Sequence, residues 1–507
     1  MLIGQNGTTT GRSAVVASRR DVTLSAVICR IACWVVAGLF SLAVVGSIWY
    51  PYFAHLYRPA VMATPDVVNS ARDEPAKDRL EEIAGQNAVV TPDDDLLRDP
   101  ILVGNELLHG RLTTGVEKPI EFHKPFAPED VARLPINLQL WFYGFAAPAL
   151  YLKAYARSHN IVFLAAARDY ILAWDEFEAK KWKPEGDLWG EHAIAQRVHV
   201  LIAFWLAYRH SPIFDLATAR MVIGYVQKCG KMLADPGLYV FRTNHGVMQN
   251  LELLQLALAF PSIDAFRSFP DLAYLRLSEQ LPHYLNVEGA IIEHSAGYQE
   301  VGVTLVGPIL RDLALLGKSV PAEWPKRYAE AISVYATLRR PDGSLPRWGD
   351  TNGGPQLSPT VVQYDKEGKP TPLKAHETWR PDKDWMLLPG VGTATWWSGI
   401  EHWPGPMGLT QTFVTWSYYP PLGHKHADEL SVLTWANGRS WWTSEGYITV
   451  PSGSPWDGSN APHLVHETFN EERRSRLLAF SNTDQLKAIE IERRSESGFV
   501  VRRQVIQ

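Results

Sequence analysis

Three short stretches of the sequence carry side chains that together could perform acid–base chemistry. They read Thr243-Asn244-His245-Gly246, Glu293-His294-Ser295-Ala296-Gly297-Tyr298 and Gly423-His424-Lys425-His426-Ala427-Asp428. The first two open apolar helices and the third begins a strand, so an amide, imidazoles and a phenol from separate elements can converge. Such a set suits removal of a proton alpha to a carboxylate, because amide and imidazole stabilise the growing negative charge while a phenol or imidazole moves the proton. The sequence contains no serine elbow, phosphate loop or nucleotide fingerprint, which favours elimination over nucleophilic hydrolysis.

Composition indicates a large globular protein. The chain has 507 residues, 46% of them hydrophobic, which predicts two or more domains with extensive cores. Its formal net charge of -5 gives no support for broad nucleic-acid binding. Most of the 19 tryptophans are expected in cores, and a minority could stack on sugars. Cys229 is the only cysteine beyond the N-terminal region, so no disulfide is expected in the body of the protein.

The N-terminal region predicts a membrane anchor. Residues 31–49 contain no charged side chain, a length sufficient for a transmembrane helix. Arginines precede this run at Arg12, Arg19, Arg20 and Arg30, whereas the next basic residue other than histidine is Arg58. The positive-inside rule therefore assigns residues 1–30 to the cytoplasm, residues 31–50 to the anchor and the remainder to the periplasm or cell surface. No convincing cleavage site follows, so the anchor is expected to be retained.

The remaining sequence divides by its patterning into three parts. Residues 51–100 are polar and charged and predict a linker or stalk. Residues 101–340 predict a helical domain, with helical patterns over 137–157, 161–178, 192–210 and 214–234 and apolar stripes after Asn244 and Tyr298. Residues 341–507 predict antiparallel sheet, with strands at 410–418, 430–435, 440–443 and 488–491 and a hairpin turn at Asn437-Gly438. The chain ends in a strand pattern, which predicts a domain that is either small or truncated.

At these motifs the sequence resembles the heparinase II/III-like polysaccharide lyases. The resemblance covers about 135–490 and is carried by Trp189-to-Arg197, Asn244-His245-Gly246, Glu293-to-Tyr298, Leu345-to-Asp350 and, most specifically, Gly423-to-Gly446. It implies an incomplete α/α toroid followed by an antiparallel β-sandwich.

The resemblance also implies roles for individual residues. Asn244 would bind a uronate carboxylate with His245 beside it, Tyr298 would transfer protons, and His424 would be the second acid–base or charge-stabilising group. Taken without the resemblance, Asn244 is equally well explained as a helix N-cap, and Tyr298 is better explained as a core aromatic residue.

Further residues are implied with weaker support. Trp189, His192, Arg197 and Arg347 would line the substrate cleft, with helix packing or a plain surface position as the alternatives for Arg197. Asp350 would fix the turn that holds Arg347 and Trp348 near the site. Some relatives hold a structural zinc through the second histidine of the His-x-His motif, an aspartate in the next strand and a later histidine. Here His426 and His463 match two ligands, but Ser444 stands at the aspartate position, with Glu445 beside it. A structural zinc is thus an open alternative, and the proposed chemistry requires no cofactor.

The resemblance predicts a lyase that cleaves a uronate-containing polysaccharide by β-elimination. Two alternatives stay open. Glu191 and Glu293 could serve a glycoside hydrolase on a similar toroid. The chain could also be a non-catalytic, membrane-tethered glycan-binding protein.

Overall fold

The computed structural model describes two compact units, residues 1–58 and 59–507. The described residues are 31–44, 60–85, 98–113, 119–122, 124–181, 187–354, 360–362, 374–375, 379–417, 424–446, 458–464, 467, 472–483 and 485–507. In the first unit, residues 31–44 form helix α1, and residues 45–50 of the predicted anchor lie outside the described part. Among the described residues, no helix combines the length and apolar character needed to cross a membrane.

The second unit begins with an α-helical domain. Its helices are α2 Pro65–Asp73, α3 Lys77–Ala84, α4 Pro100–Leu108, α5 Ile136–Tyr143, α6 Ala146–Ser158, α7 Ile161–Ala179, α8 Glu191–Tyr208, α9 Leu216–Ala234, α10 Asn244–Ala259, α11 Phe269–Tyr284, α12 Ala296–Leu315 and α13 Glu323–Leu338. Short connections join consecutive helices, so neighbours such as α6 and α7 pack against each other as pairs.

The predicted stalk over 51–100 is wrong where the chain is described. Helices α2 and α3 lie in this range, and Val68, Ala71, Leu80 and Ile83 are fully buried. The indole Nε1 of Trp205 in α8 donates to the carbonyl of Ala71 at 2.9 Å. Each of these two helices buries only two apolar residues, which are three positions apart. The surrounding charged residues hide this short helical pattern in the sequence. Residues 51–59 and 86–97 lie outside the described part.

The helical pattern predicted over 137–157 is divided into α5 and α6. Phe145 adopts a left-handed conformation with φ of 72° and separates the two helices. A side chain at the preceding Gly144 would lie 2.9 Å from the Cβ of Gln196 in α8. The break therefore lets this connection approach α8 closely, a long-range requirement that periodicity does not reveal.

Antiparallel sheets form the C-terminal part. One short pair, β3 Thr360–Val361 with β4 Lys374–Ala375, belongs to this part, whereas another, β1 Arg111–Leu112 with β2 Ile120–Glu121, lies between helices α4 and α5. A five-stranded sheet follows in chain order: β5 Trp385–Leu388, β6 Thr393–Ser398, β7 Thr410–Thr415, β8 Val432–Ala436 and β9 Arg439–Trp442. A three-stranded sheet contains β10 Arg473–Asn482, β11 Lys487–Ser495 and β12 Val500–Ile506.

The two larger sheets pack face to face. Trp396 and Val414 of the five-stranded sheet share one apolar core with Ile489 and Ile491 of β11. This arrangement agrees with the helical domain and antiparallel sheets predicted from the sequence. Asn437 and Gly438 form the predicted turn between β8 and β9, with φ angles of 51° and 79°.

Direct contacts join the end of the helical domain to the five-stranded sheet. The indole of Trp397 donates to the carbonyl of Thr337 at 2.9 Å, and the Gln411 amide donates to the carbonyl of Leu338 at 3.0 Å. The guanidinium of Arg340 in turn donates to the Gln411 side chain at 2.9 Å. The chain between Arg340 and Asp350 therefore runs along this junction, where the candidate site lies.

Candidate active site

Asn244 and His245 lie in the first turn of α10. Thr243 is the N-cap residue, so Asn244 is the first helical residue and the alternative of Asn244 as the cap is wrong. The backbone N–H of Asn244 donates instead to Oε1 of Glu293 at 3.0 Å. The Asn244 side chain is only 4% exposed, and its Oδ1 has no hydrogen-bond partner within the described part of the chain. An unpartnered buried acceptor such as this Oδ1 could bind a hydrogen-bond donor.

Two residues of α8 hold His245 in place. Nδ1 of His245 lies 2.7 Å from Oε1 of Glu191, and the ring of His192 packs 4.4 Å from the His245 ring. Burial alone would raise the pKa of Glu191, but the hydrogen bond with His245, a backbone hydrogen bond and the charges of His245 and His192 together hold the pKa below its ordinary value. Burial, followed by the nearby His245 charge, lowers the pKa of His192 to about 3. Glu191 is therefore the anionic partner of His245, and His192 is a neutral neighbour.

Tyr298 lies opposite His424. Tyr298 is in the first turn of α12, where Ser295 is the N-cap and its hydroxyl accepts the Tyr298 backbone N–H at 3.4 Å. The phenol and the His424 imidazole stack with 3.6 Å between ring centroids and 20° between planes. Both side chains are partly exposed. The two predicted acid–base groups are therefore neighbours at the junction of the helical domain and the sheets.

Asp350 binds both histidines of the His-x-His motif. Its Oδ2 lies 2.9 Å from Nδ1 of His424, and its Oδ1 lies 2.6 Å from Nε2 of His426. Burial would raise the pKa of Asp350, but the hydrogen bonds and charges of His424 and His426 together lower it. An ionised Asp350 accepts from Nδ1 of His424, which leaves Nε2 of that ring as its basic atom.

The prediction that these histidines lie on a strand is wrong. Strand β8 begins only at Val432, and residues 424–431 form a loop. Both imidazoles reach one carboxylate because the loop carries them to Asp350, and strand alternation is not the cause.

Gly349 allows three segments to meet beside these side chains. It has φ of 55°, and a Cβ there would lie 2.6 Å from the carbonyl oxygen of His424 and 2.7 Å from that of His294. Its N–H donates to Oδ2 of Asp428 at 3.3 Å, and the Ser295 hydroxyl donates to the carbonyl of Asp350 at 2.7 Å. Only glycine combines this backbone conformation with such close approach.

Glu293 is a buried acid that contacts the first turn of α10. Its side chain is 6% exposed, and the charged groups that influence its pKa include His424 and His245. Burial raises the pKa of Glu293 more than the Asn244 hydrogen bond and these charges lower it. The sequence predicts Glu293 only as a hydrolase carboxylate, and its position immediately before His294 in the second motif is the available signal for a place in this site.

Three residues that were predicted to line the substrate cleft, Arg197, Trp189 and Arg347, differ in their exposure. Arg197 is fully buried in the helical core, where its guanidinium lies 3.0 Å from Oε1 of Glu178 and 4.8 Å from the Trp174 ring centroid. The prediction that Arg197 contacts substrate is therefore wrong, because no part of it reaches the surface. Trp189 is also largely buried, whereas Arg347 is partly exposed and runs alongside Gly446.

The described residues do not assemble a zinc site around the two candidate ligands. Nε2 of His426 is bound to Asp350, and Nδ1 of His463 lies 3.4 Å from the Ala461 carbonyl. In the described part of the chain, no group of three or more histidine, cysteine or acidic side chains is arranged to hold a metal ion. Because Ser444 replaces the third ligand, these residues do not fit the zinc site of the relatives.

The fold and site define a protein that joins a helical domain to antiparallel sheets, with amide, imidazole and phenol groups at their junction. Residues 141–364 match the family model described as "Heparinase II/III N-terminus". A solved structure of heparinase III is 14% identical and has a TM-score of 0.59, with 92% of this chain and 75% of that chain covered. Heparan sulfate lyase HepC from Pedobacter heparinus is 14% identical with a TM-score of 0.50, over 94% of this chain and 74% of that one.

The family-model match agrees with the resemblance inferred from the sequence: residues 141–364 are similar to the N-terminal domain of the heparinase II/III family. At 14% identity, the solved lyase structures show that this chain shares their fold. No curated protein sequence matches the chain.

Proposed function

We propose that the protein cleaves a uronate-containing polysaccharide by β-elimination. The observation that carries this proposal is the stacking of Tyr298 on His424 at 3.6 Å between ring centroids, in a site that also contains Asn244 and His245. The named relatives, a heparinase and a heparan sulfate lyase, favour a sulfated uronate polymer as the first substrate to test.

The uronate carboxylate would be bound at the N-terminus of α10. There the Asn244 side-chain amide donates a hydrogen bond, and His245, paired with Glu191 at 2.7 Å, contributes positive charge when protonated. Backbone N–H groups at a helix N-terminus add to the favourable potential for an anion. Neutralising the carboxylate makes the adjacent C–H bond more acidic, because negative charge can delocalise onto the carboxylate oxygens as the proton leaves.

His424 and Tyr298 would then move the protons. Nε2 of His424 takes the proton alpha to the carboxylate, and Asp350 stabilises the resulting imidazolium through its 2.9 Å contact with Nδ1. The electron pair of the broken C–H bond forms a carbon–carbon double bond, and the glycosidic bond to the beta carbon breaks. The Tyr298 hydroxyl donates its proton to the departing oxygen. The products are an unsaturated uronate end and a new free hydroxyl.

A substrate panel tests this function directly. Purified protein is incubated with heparan-type chains, alginate and bacterial uronate exopolysaccharides, with a neutral glucan as control. Ultraviolet absorbance reports the unsaturated uronate, and a reducing-end assay runs in parallel. A lyase raises both signals on a uronate polymer, whereas new reducing ends without absorbance would identify a hydrolase. Binding without either signal would identify a glycan-binding protein.

We further propose that residues 31–50 anchor the protein, with the remainder outside the cytoplasm. Support comes from the uncharged run at 31–49 and from the arginines confined to its N-terminal side. Protease added to intact spheroplasts should digest the region beyond Tyr50. Protection of that region, with digestion only after lysis, would refute the orientation.

A further inference from the structure

Arginine side chains cover one end of the outer face of the three-stranded sheet. The inner face of this sheet packs on the five-stranded sheet through Ile489 and Ile491, so the residues that alternate with them face outward. Four of these outward residues are arginines, and their side chains are between 53% and 83% exposed. They stand on all three strands and are here called the arginine patch: Arg474 and Arg476 on β10, Arg494 on β11 and Arg502 on β12.

One carboxylate orders three of these arginines. Glu492 lies between them on β11 and has no exposed surface, because the guanidinium groups cover it. Its Oε1 accepts from Nε of Arg476 at 3.0 Å and from Nε of Arg494 at 2.6 Å, and its Oε2 accepts from Nε of Arg502 at 2.7 Å. A guanidinium has five N–H donors, so most donors of these three side chains remain available to a ligand. Three positive charges thus surround one negative charge at an exposed surface.

Protection of the sheet edges does not explain the whole patch. Charged side chains on edge strands prevent pairing with other chains, and β10 and β12 are the edges of this sheet. Arg494, however, is on the central strand β11, which has no free edge. It also stands directly opposite Arg474 in the strand register, and like charges opposed in this way are destabilising. The sheet therefore keeps a costly charge at a position where its edges gain nothing.

The arginine patch adjoins the loop that carries the proposed base. Arg473 points to the inner face of β10 and donates to Oε1 of Glu429 at 3.0 Å. Arg503 in β12 donates to the carbonyl of Leu430 at 2.8 Å. Each of these two arginines is the sequence neighbour of a patch residue, and both of their partners belong to the loop 424–431. A polymer bound on the patch would thus lie close to the candidate active site.

We propose that the arginine patch is a second binding site for acidic polysaccharide, which holds a chain outside the candidate active site. The choice of polymer rests on the proposed function, whereas the binding itself requires no turnover. Guanidinium forks match carboxylate and sulfate groups, and arginines on strands about 4.8 Å apart can engage repeated anions along one chain. Because the full sequence carries a net charge of -5, the patch is a local exception in the field of the protein. A chain held there is presented to the cleft at high effective concentration.

A triple variant removes the positive charge of the patch. Arg476→Gln, Arg494→Gln and Arg502→Gln are combined, since glutamine still donates a hydrogen bond to Glu492. Binding of the full-length protein to immobilised heparan-type chains and alginate is measured at increasing NaCl, with a neutral glucan as reference. Affinity for the acidic polymers should fall by about 3- to 100-fold at low salt, and the difference from wild type should shrink as salt screens the charges.

Three exposed arginines elsewhere provide the matched control. Arg111→Gln, Arg157→Gln and Arg267→Gln together make the same change in net charge away from the three-stranded sheet. Their combination should bind the acidic polymers as the wild type does. Equal losses of affinity in both triple variants would show that overall charge alone attracts the polymer, and equal affinity of wild type and patch variant would overturn the proposal directly.

Glu492→Gln tests the patch in the opposite direction. Hydrogen bonds from Arg494 and Arg502 lower the pKa of Glu492 to about 2, so this carboxylate is ionised at neutral pH. Glutamine removes the negative charge and keeps an acceptor, so affinity for the acidic polymers should rise. A folded Glu492→Gln protein with unchanged or weaker binding would contradict the proposal. This variant also carries the test if the triple variant fails to fold, which thermal unfolding of each preparation reports.

Elimination assays on the same preparations separate the patch from the proposed function. Patch-dependent binding in a wild type that forms no unsaturated uronate would refute the lyase and retain the binding site. In an active wild type, loss of the patch should raise KM for long chains and leave KM for a tetrasaccharide unchanged. Vesicles of phosphatidylglycerol test the other source of anions. Patch-dependent binding to these vesicles, with polysaccharide binding unaffected by the triple substitution, would assign the patch to a lipid surface and overturn the proposal.

Discussion

Replacing Tyr298 with phenylalanine isolates the proposed proton donor. The ring stacks on His424 at 3.6 Å between centroids, and phenylalanine keeps this contact while removing one oxygen. The backbone of Tyr298 is held by the Ser295 hydroxyl, which the substitution leaves in place. A lost hydrogen bond should change the free energy of unfolding by about 0.5–1.5 kcal/mol, whereas loss of general acid catalysis should lower kcat by about 10²–10⁴-fold.

The assay compares initial rates of unsaturated uronate formation with thermal unfolding of the same preparations. Tyr284→Phe is the matched control, because it removes a phenol oxygen from a buried neighbour of Glu293 outside the proposed proton path. We expect kcat to collapse only in Tyr298→Phe, with KM little changed. Near-normal turnover in Tyr298→Phe, or an equal loss in Tyr284→Phe, would refute the assignment of Tyr298 as the acid.

Three further predictions follow from other contacts. Asp350→Asn should lower kcat by about 10²–10⁴-fold, since asparagine cannot accept from His424 and His426 together. The pKa of Asp350 is lower in the folded protein than the value of about 4 expected in the unfolded chain, so the ionised carboxylate stabilises the fold above that pH. The difference in unfolding free energy between wild type and Asp350→Asn should therefore shrink as the pH falls through the folded pKa. Arg197→Ala should destabilise the protein by about 3–5 kcal/mol in chemical denaturation, because Glu178 would lose a buried partner, while KM of the folded fraction should not change. Chelation should leave the melting temperature unchanged, because the described ligands do not complete a zinc site; a fall in melting temperature with release of one metal per chain would contradict this expectation.

Local signals in the sequence were sufficient for several elements of the fold. The helix predicted over 161–178 occurs as Ile161–Ala179, and Asn437-Gly438 forms the predicted hairpin turn. Both depend on residues close in sequence, an apolar period in one case and two positive φ angles in the other. Strand β6 was not predicted, because five of its six residues are buried and no alternation marks it. Strand β10 was missed for a different reason, since its charged side chains obscure a strand exposed along one face.

The site was predicted in its residue types but not in its connections. The motifs containing Asn244, Tyr298 and His424 identified groups that the fold brings together. Asp350 binds His424 across 74 residues of sequence, and Glu293 binds Asn244 across 49. Such pairings depend on how the helical domain meets the sheets, which no local pattern encodes. For Arg197 the sequence predicts a site contact that the fold does not make. Its position in the Trp189-to-Arg197 motif predicts a place in the substrate cleft, whereas its guanidinium is buried among helices.

Gly349 gives a physical reason why the proposed catalytic groups come from both parts of the fold. Carbonyl oxygens of His294, from the helical side, and His424, from the sheet side, would both lie within 2.7 Å of a Cβ at this position. Any side chain here would therefore push the two segments apart, and with them Tyr298 and its partner imidazole. Stacking at 3.6 Å tolerates little separation, because a shift of 1 Å at reacting groups is sufficient to reduce the rate about 10²-fold. The close packing at Gly349 is thus a requirement of the proposed chemistry as well as of the fold.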